Sequence, residues 1–303
     1  MDTKMSNSFV KKIIFFFWAM TVLFATSGCA INMFVVDQVA KNLVSEDDHE
    51  QDLFLARDAS PFYLKLTENL LIRSPANLKL AQAVCSGFTQ YAYTFIAFEA
   101  EKLEGSDYKR AELLRERASK MYARAFNHGM KALDLTFSGF GAKLKASGNM
   151  APKAIPSTDV GLLYWTAASL GGWISTAKDM PDLVADFPIA LRLAHLAWQI
   201  DPSYSQGSLA SLMGNFEWAN PNGSKPLATQ YFDWAIQYSK DQNAGPFVSK
   251  AEKVAVAMKD RRMFEKLLNQ AKEIAQKYPN LQNEAMRLRA QWLLENADEL
   301  FES

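Results

Sequence analysis

Apolar residues recur along most of this chain at three- and four-residue intervals, the repeat of an amphipathic helix, and the two-residue alternation of a strand is hard to find. The stretch from Ala190 to Tyr238 is the clearest example. Ala190, Ala194 and Ala197 fall at i, i+4 and i+7, and Pro202 closes that helix. Leu209, Leu212, Met213 and Phe216 then form an apolar stripe that must be buried against something. After the turn Asn220-Pro221-Asn222-Gly223, helix resumes with Ala228, Phe232 and Ala235 on one side. Neither helix buries its stripe alone, so the hairpin predicts stacked neighbours.

Small, aromatic, small at this spacing is the pattern of the second helix of a tetratricopeptide repeat. Gly214 stands fourteen residues before Ala228 and Lys240 occupies the place of the closing proline, so the hairpin reads as a degenerate copy. Ala118, Tyr122 and Ala125 repeat the spacing upstream. The expected packing positions are therefore Ala190, Ala194, Ala197, Gly214, Ala228, Phe232 and Ala235. An ordinary hairpin of alanine-rich helices is the alternative.

In chain order, the acidic run Glu46-Asp47-Asp48-His49-Glu50 predicts a helix start, with helix to Ala56, and Pro61 predicts the opening of the next helix. After Ser74-Pro75, a long helix is expected from Ala76 to about Glu104, apolar nearly all round and therefore central, with Cys85 a buried small hydrophobe. Helix is expected again over 108–134, and an irregular surface segment over 141–157. From Asp159 a further helix carries Trp165 and Trp173, eight apart and so roughly on one face, as core or as ligand lining. Gly171-Gly172 inside it implies close packing or a bend. Helices over 182–202, 246–258, 261–278 and 282–301 complete an all-α bundle or solenoid of about a dozen helices, one domain over 46–303. Trp218, beside the hairpin turn, and Trp234, aligned with Leu227, Tyr231 and Tyr238 as a second apolar stripe, are the candidate partner surface.

The amino terminus changes the picture. Lys4, Lys11 and Lys12 precede the apolar run Ile13–Ala25, too short to span a bilayer core of about 30 Å, as in an export signal. Ala25-Thr26-Ser27-Gly28-Cys29 resembles the lipobox of bacterial lipoproteins. That resemblance implies a signal over 1–28, cleavage before Cys29, acylation of its thiol and a lipidated tether over 29–45. Ala30, where inner-membrane lipoproteins often carry Asp, favours the periplasmic face of the outer membrane. Without residues 1–28 the chain keeps 30 basic and 32 acidic side chains, derived from 33 of each less three lysines and one aspartate.

At 303 residues and 49% hydrophobic content the chain can bury a sizeable core. Its zero formal charge gives no signature of nucleic-acid binding. His49, His128 and His195 are far apart, and the two cysteines have no zinc spacing, so no metal or cofactor is expected. No phosphate-cradling loop or nucleophile elbow occurs, so an enzyme is not expected.

The ordered landmarks resemble the T-component (TatT) family of TRAP transporter accessory proteins, which are helical lipoproteins. Leu70-Leu71, Ser74-Pro75-Ala76-Asn77, Gly87-Phe88 and Tyr91-Ala92 are similar to its first block. Asp159-Val160, Leu163-Tyr164-Trp165, Gly171, Trp173-Ile174 and Ala185-Asp186-Phe187-Pro188 are similar to its second. The closing helices match at Asp260, Phe264, Leu267-Leu268, Leu281, Asn283, Arg289-Ala290, Leu293-Leu294 and Asp298-Glu299-Leu300-Phe301. Asn222-Gly223-Ser224 stands where family members often have Gly-Gly-Asp. The resemblance implies cryptic tetratricopeptide repeats, a homotrimer, binding of a TRAP-type periplasmic solute-binding protein, and passage of a small, apolar organic-acid ligand. A repeat-containing scaffold lipoprotein for envelope assembly is the alternative.

Overall fold

Asp52 opens the first helix, α1 (Leu53–Arg73), by accepting from the backbone N–H groups of Phe54 and Leu55 at 2.9 and 3.0 Å. In this computed structural model, which describes residues 50–146 and 155–302, every regular element is helical. The signal, Cys29, the tether and most of the acidic run lie outside the described residues. Pro61 does not open a helix but sits inside α1. Pro61, Phe62 and Tyr63 face solvent, where a missing hydrogen bond and a bulky ring are tolerated, while Leu64 and Leu71 further on are buried.

Asn77 caps the next helix, α2 (Leu78–Tyr91), which passes through a π-helical stretch, Ala92–Ala97, into α3 (Phe98–Leu103). Asp107 caps α4 (Tyr108–Thr136). The segment expected to be irregular begins instead with a short helix, α5 (Phe140–Lys145), because Phe140 and Leu144 bury against the body. Then come α6 (Val160–Thr176), α7 (Pro181–Ala185), α8 (Phe187–Ile200), α9 (Ser208–Ala219) and α10 (Lys225–Ser239). The carboxyl-terminal part comprises α11 (Gly245–Lys250), a second π stretch (Ala251–Ala255), α12 (Arg261–Lys277), α13 (Leu281–Glu295) and α14 (Ala297–Phe301).

The larger core forms where α2, α4 and α6 pack on one another, with α8 on the far side of α6. Close approach is bought at the paired glycines: a Cβ at Gly171 or Gly172 would fall 2.5 Å from the ring of Phe216 or Tyr122. Those two rings press on α6 from α9 and α4, which accounts for two poor helix formers in succession. Glu68 of α1 is 2% exposed and clamped by Arg124, by Lys65 at 2.7 Å and by His128 at 2.8 Å. Burial alone would raise its pKa, but hydrogen bonds from Arg124, Lys65 and His128 hold it down at about 2.

The expected hairpin is α9 packed on α10, with Phe232 lying against Gly214, where a Cβ would meet the ring at 2.8 Å. Ala190, Ala194, Ala197, Ala228, Phe232 and Ala235 are all fully buried. A second, smaller core gathers α11 to α14. Its helix α13 returns to α1, and Trp292 packs edge-on against Phe98 of α3 at 5.7 Å. The two ends of the helical succession therefore meet.

Candidate functional site

Between the two cores lies a cavity of about 2050 Å³. Its wall begins on α2. Gln82, Ser86, Gln90 and Tyr93 follow one another at helical spacing and face the cavity, so this helix is not apolar all round as its leucines and alanines suggest. Its other sides are core: Leu80, Ala81, Val84 and Cys85 are fully buried. The Cys85 thiol donates to the Ala125 carbonyl at 3.3 Å, and burial pushes its pKa up to about 12, so it is no nucleophile.

Beside Gln82 stand three rings. Tyr164 meets Trp165 edge-on at 4.8 Å and Tyr204 at 5.3 Å. Gly161 lies beneath: a Cβ there would fall 2.5 Å from the Gln82 amide nitrogen and 2.6 Å from the Tyr204 hydroxyl. Gln82 is 7% and Thr89 is 6% exposed, yet Gln82 Oε1 and Thr89 Oγ1 have no hydrogen-bond partner. Both oxygens are closed off behind the wall and do not open on the cavity, and most groups buried in this way are paired.

The wall nearest the carboxyl-terminal core is closed by Arg289. Its Nη1 and Nη2 donate to Glu101 at 2.8 and 3.1 Å, and its Nε and Nη2 donate to Glu252 at 3.0 and 2.5 Å. The guanidinium also lies 5.2 Å from the Phe98 ring centroid and 6.0 Å from that of Tyr93. Burial would lower the Arg289 pKa, but Glu252, Tyr93 and Glu101 raise it well above the usual arginine value. Both π stretches point here: one carries Tyr93 and the other Glu252. An extra residue in a helical turn re-aims the side chains around it, and such turns cluster at functional sites.

The tryptophans separate. Trp165 and Trp218 line the cavity. Trp173 packs on Phe126 at 6.2 Å instead, because a spacing of eight leaves it about 80° round the helix from Trp165. Trp234 is half-buried in a cluster with Trp198 and Tyr231, at 5.8 and 5.5 Å, which joins α8 to α10. Gln82, Glu101, Glu252 and Arg289 were not singled out as a site from sequence. The run of Gln82, Ser86, Gln90 and Tyr93 inside an apolar helix was the available signal.

No group of three or more metal-ligating side chains occurs among the described residues, and no described helix is long and apolar enough to cross a membrane. Fold and site together define an all-helical protein built around a cavity. The family model described as TRAP transporter T-component matches residues 49–301, and the chain belongs to that family. It is also similar to an uncharacterized protein of Treponema pallidum (strain Nichols), with 24% identity over 235 residues, covering 73% of this chain and 71% of that protein. Family membership places the chain with TRAP transporter components.

Proposed function

We propose that this protein is a lipid-anchored periplasmic accessory of a TRAP-type uptake system, which docks the solute-binding protein and passes a small ligand through its interior. The cavity is the observation that carries this reading. At about 2050 Å³ it exceeds the roughly 300–1,000 Å³ of an ordinary small-molecule pocket, which suits a ligand in transit more than a tight enclosure. Cys29 is the anchor, holding the chain at the periplasmic face of the outer membrane. Trp218, at the cavity rim beside the hairpin turn, is the candidate docking contact.

A homotrimer belongs to the same proposal. Phe54, Phe62 and Ile72 of α1 are 73%, 69% and 63% exposed, an apolar surface of the kind a neighbouring subunit covers. The test is affinity capture of the solubilised lipoprotein with its TRAP solute-binding protein, followed by titration in low and high salt. Binding that varies little with salt and weakens in Trp218→Ala is expected, because apolar anchors and not a strong field drive it. No capture of the solute-binding protein by the folded chain would overturn the reading.

A further inference from the structure

We propose that the cavity opens sideways: the carboxyl-terminal core swings on the turn between α10 and α11, and the contact of α13 with α3 is a clasp that parts and recloses. The proposal concerns the protein alone and stands whether or not a ligand passes through it.

The smaller core is joined to the rest of the molecule at two places, and the joins differ. One is covalent. Residues 240–244 lead from α10 into α11, and there Lys240 and Asp241 take left-handed backbone, with φ of 49° and 56°, which side chains disfavour. In the turn between α8 and α9, Ser205 and Gln206 do the same at 51° and 49°. Asn243 ties the two turns together by donating to Gln206 O at 3.2 Å and Ser208 Oγ at 3.1 Å, and Ser205, Gln206 and Asn243 all line the cavity. Strained backbone gathered in two touching turns is where a rotation is most easily absorbed, and hinges consist of a few such loop residues.

The other join is made by side chains. Arg289 of α13 reaches across to Glu101, and Trp292 packs edge-on against Phe98, while α13 also touches α1. Arg289 holds Glu252 as well, which belongs to its own core. Parting the clasp therefore leaves the arginine with a carboxylate. Glu101, 40% exposed against 18% for Glu252, is the partner that water reaches. No charge is stranded in a buried place, and a stranded charge is what makes breaking such a pair costly. The part that swings holds together by itself, because α11 to α14 share an apolar core of their own. A π stretch adjoins the clasp on each side, Ala92–Ala97 before α3 and Ala251–Ala255 carrying Glu252.

The test is a pair of distance measurements by double electron–electron resonance on the full chain in lipid nanodiscs, with the wild type taken through spin labelling as the blank. Labels on Ser106→Cys and Gln291→Cys, both exposed positions, report on the clasp. Labels on Gln237→Cys and Lys277→Cys, also exposed, report on the hinge side. The clasp pair should show a main distance and a minor longer one. Glu101→Gln should raise the ratio of the longer to the shorter about five- to tenfold, since a neutral amide replaces one charged partner while Glu252 stays. Phe98→Ala, which removes the ring beneath Trp292 and Arg289 without changing a charge, should act in the same direction. The hinge pair should keep its distance in both variants. A single clasp distance that neither variant lengthens overturns the proposal. Lengthening of both pairs together overturns it too, because the core then detaches instead of swinging. Neither result bears on capture of the solute-binding protein.

Discussion

The core of residues 64–231 and the core of residues 244–297 are both helical, but they are held in different ways. The first is large and dovetailed, with rings seated on glycines: Phe216 on Gly171 and Tyr122 on Gly172. The second is smaller, with alanines between α11 and α13 and a few larger side chains such as Phe264 and Leu268. Between them the joint is substantially polar. On the second core's side of it, Asn283 accepts from the Ala244 backbone N–H at 2.9 Å and donates to the Gln242 and Tyr278 carbonyls at 2.9 and 2.7 Å, fixing the segment that leads into that core. Asn243 donates to Gln206 O and Ser208 Oγ at 3.2 and 3.1 Å, and Arg289 closes the far side through Glu101. Apolar burial is tolerant of direction, whereas hydrogen bonds fix it, so the polar joint sets how the second core faces the cavity.

The strongest way to break this difference is Arg289→Met. It removes one cation from between two carboxylates and should cost about 3 to 5 kcal/mol of stability, as when a buried ion pair loses one partner. Thermal melting measures the loss. Hydrogen exchange should rise in α12 and α13 and stay low in α4 and α6, and uniform loosening would mean the two cores are one cooperative unit.

Asn283→Ala should cost about 2 to 3 kcal/mol, because the Ala244 N–H and two carbonyls lose their partner in a side chain that is 1% exposed. Denaturant melts would read the change. A loss below about 0.5 kcal/mol would mean that water replaces the amide.

The smallest effect belongs to the first core and sharpens the contrast through pH. Glu68 has its pKa lowered in the folded state from 4.5 to about 2, so the folded protein binds fewer protons than the unfolded chain across that interval. Its stabilisation is present above about pH 4.5 and is lost as pH falls toward 2, on the order of 2 kcal/mol. Acid titration of stability should therefore be steeper in wild type than in Glu68→Gln between those pH values. Equal slopes would mean that Arg124, Lys65 and His128 do not hold the carboxylate.

Much of the fold was legible because local patterns dictate it. Asn77, Asp107 and Asp260 cap helices that start where apolar periodicity begins, and the alanines of the α9–α10 hairpin are buried as their spacing requires, whereas the first helix is capped by Asp52, beyond the acidic run expected to open it. Pro61 misled because a proline signal does not say which side of a helix faces water. The central helix misled because its apolar residues outnumber a polar stripe whose neutral side chains resemble core exceptions. Trp165 and Trp218 reached the cavity while Trp173 and Trp234 did not, since helical phase and neighbouring helices, not residue type, decide which ring finds which wall.

The sequence by itself determined that the chain is all-α, where most of its helices run and which small residues of the α9–α10 hairpin are buried, because hydrogen bonding and side-chain periodicity within a helix are local. Only the tertiary structure decided that a cavity lies between the cores and that Arg289 meets Glu101, 188 residues away, and Glu252 beside it. Such a meeting depends on how many successive helices turn relative to one another, and no periodicity within one helix encodes that sum.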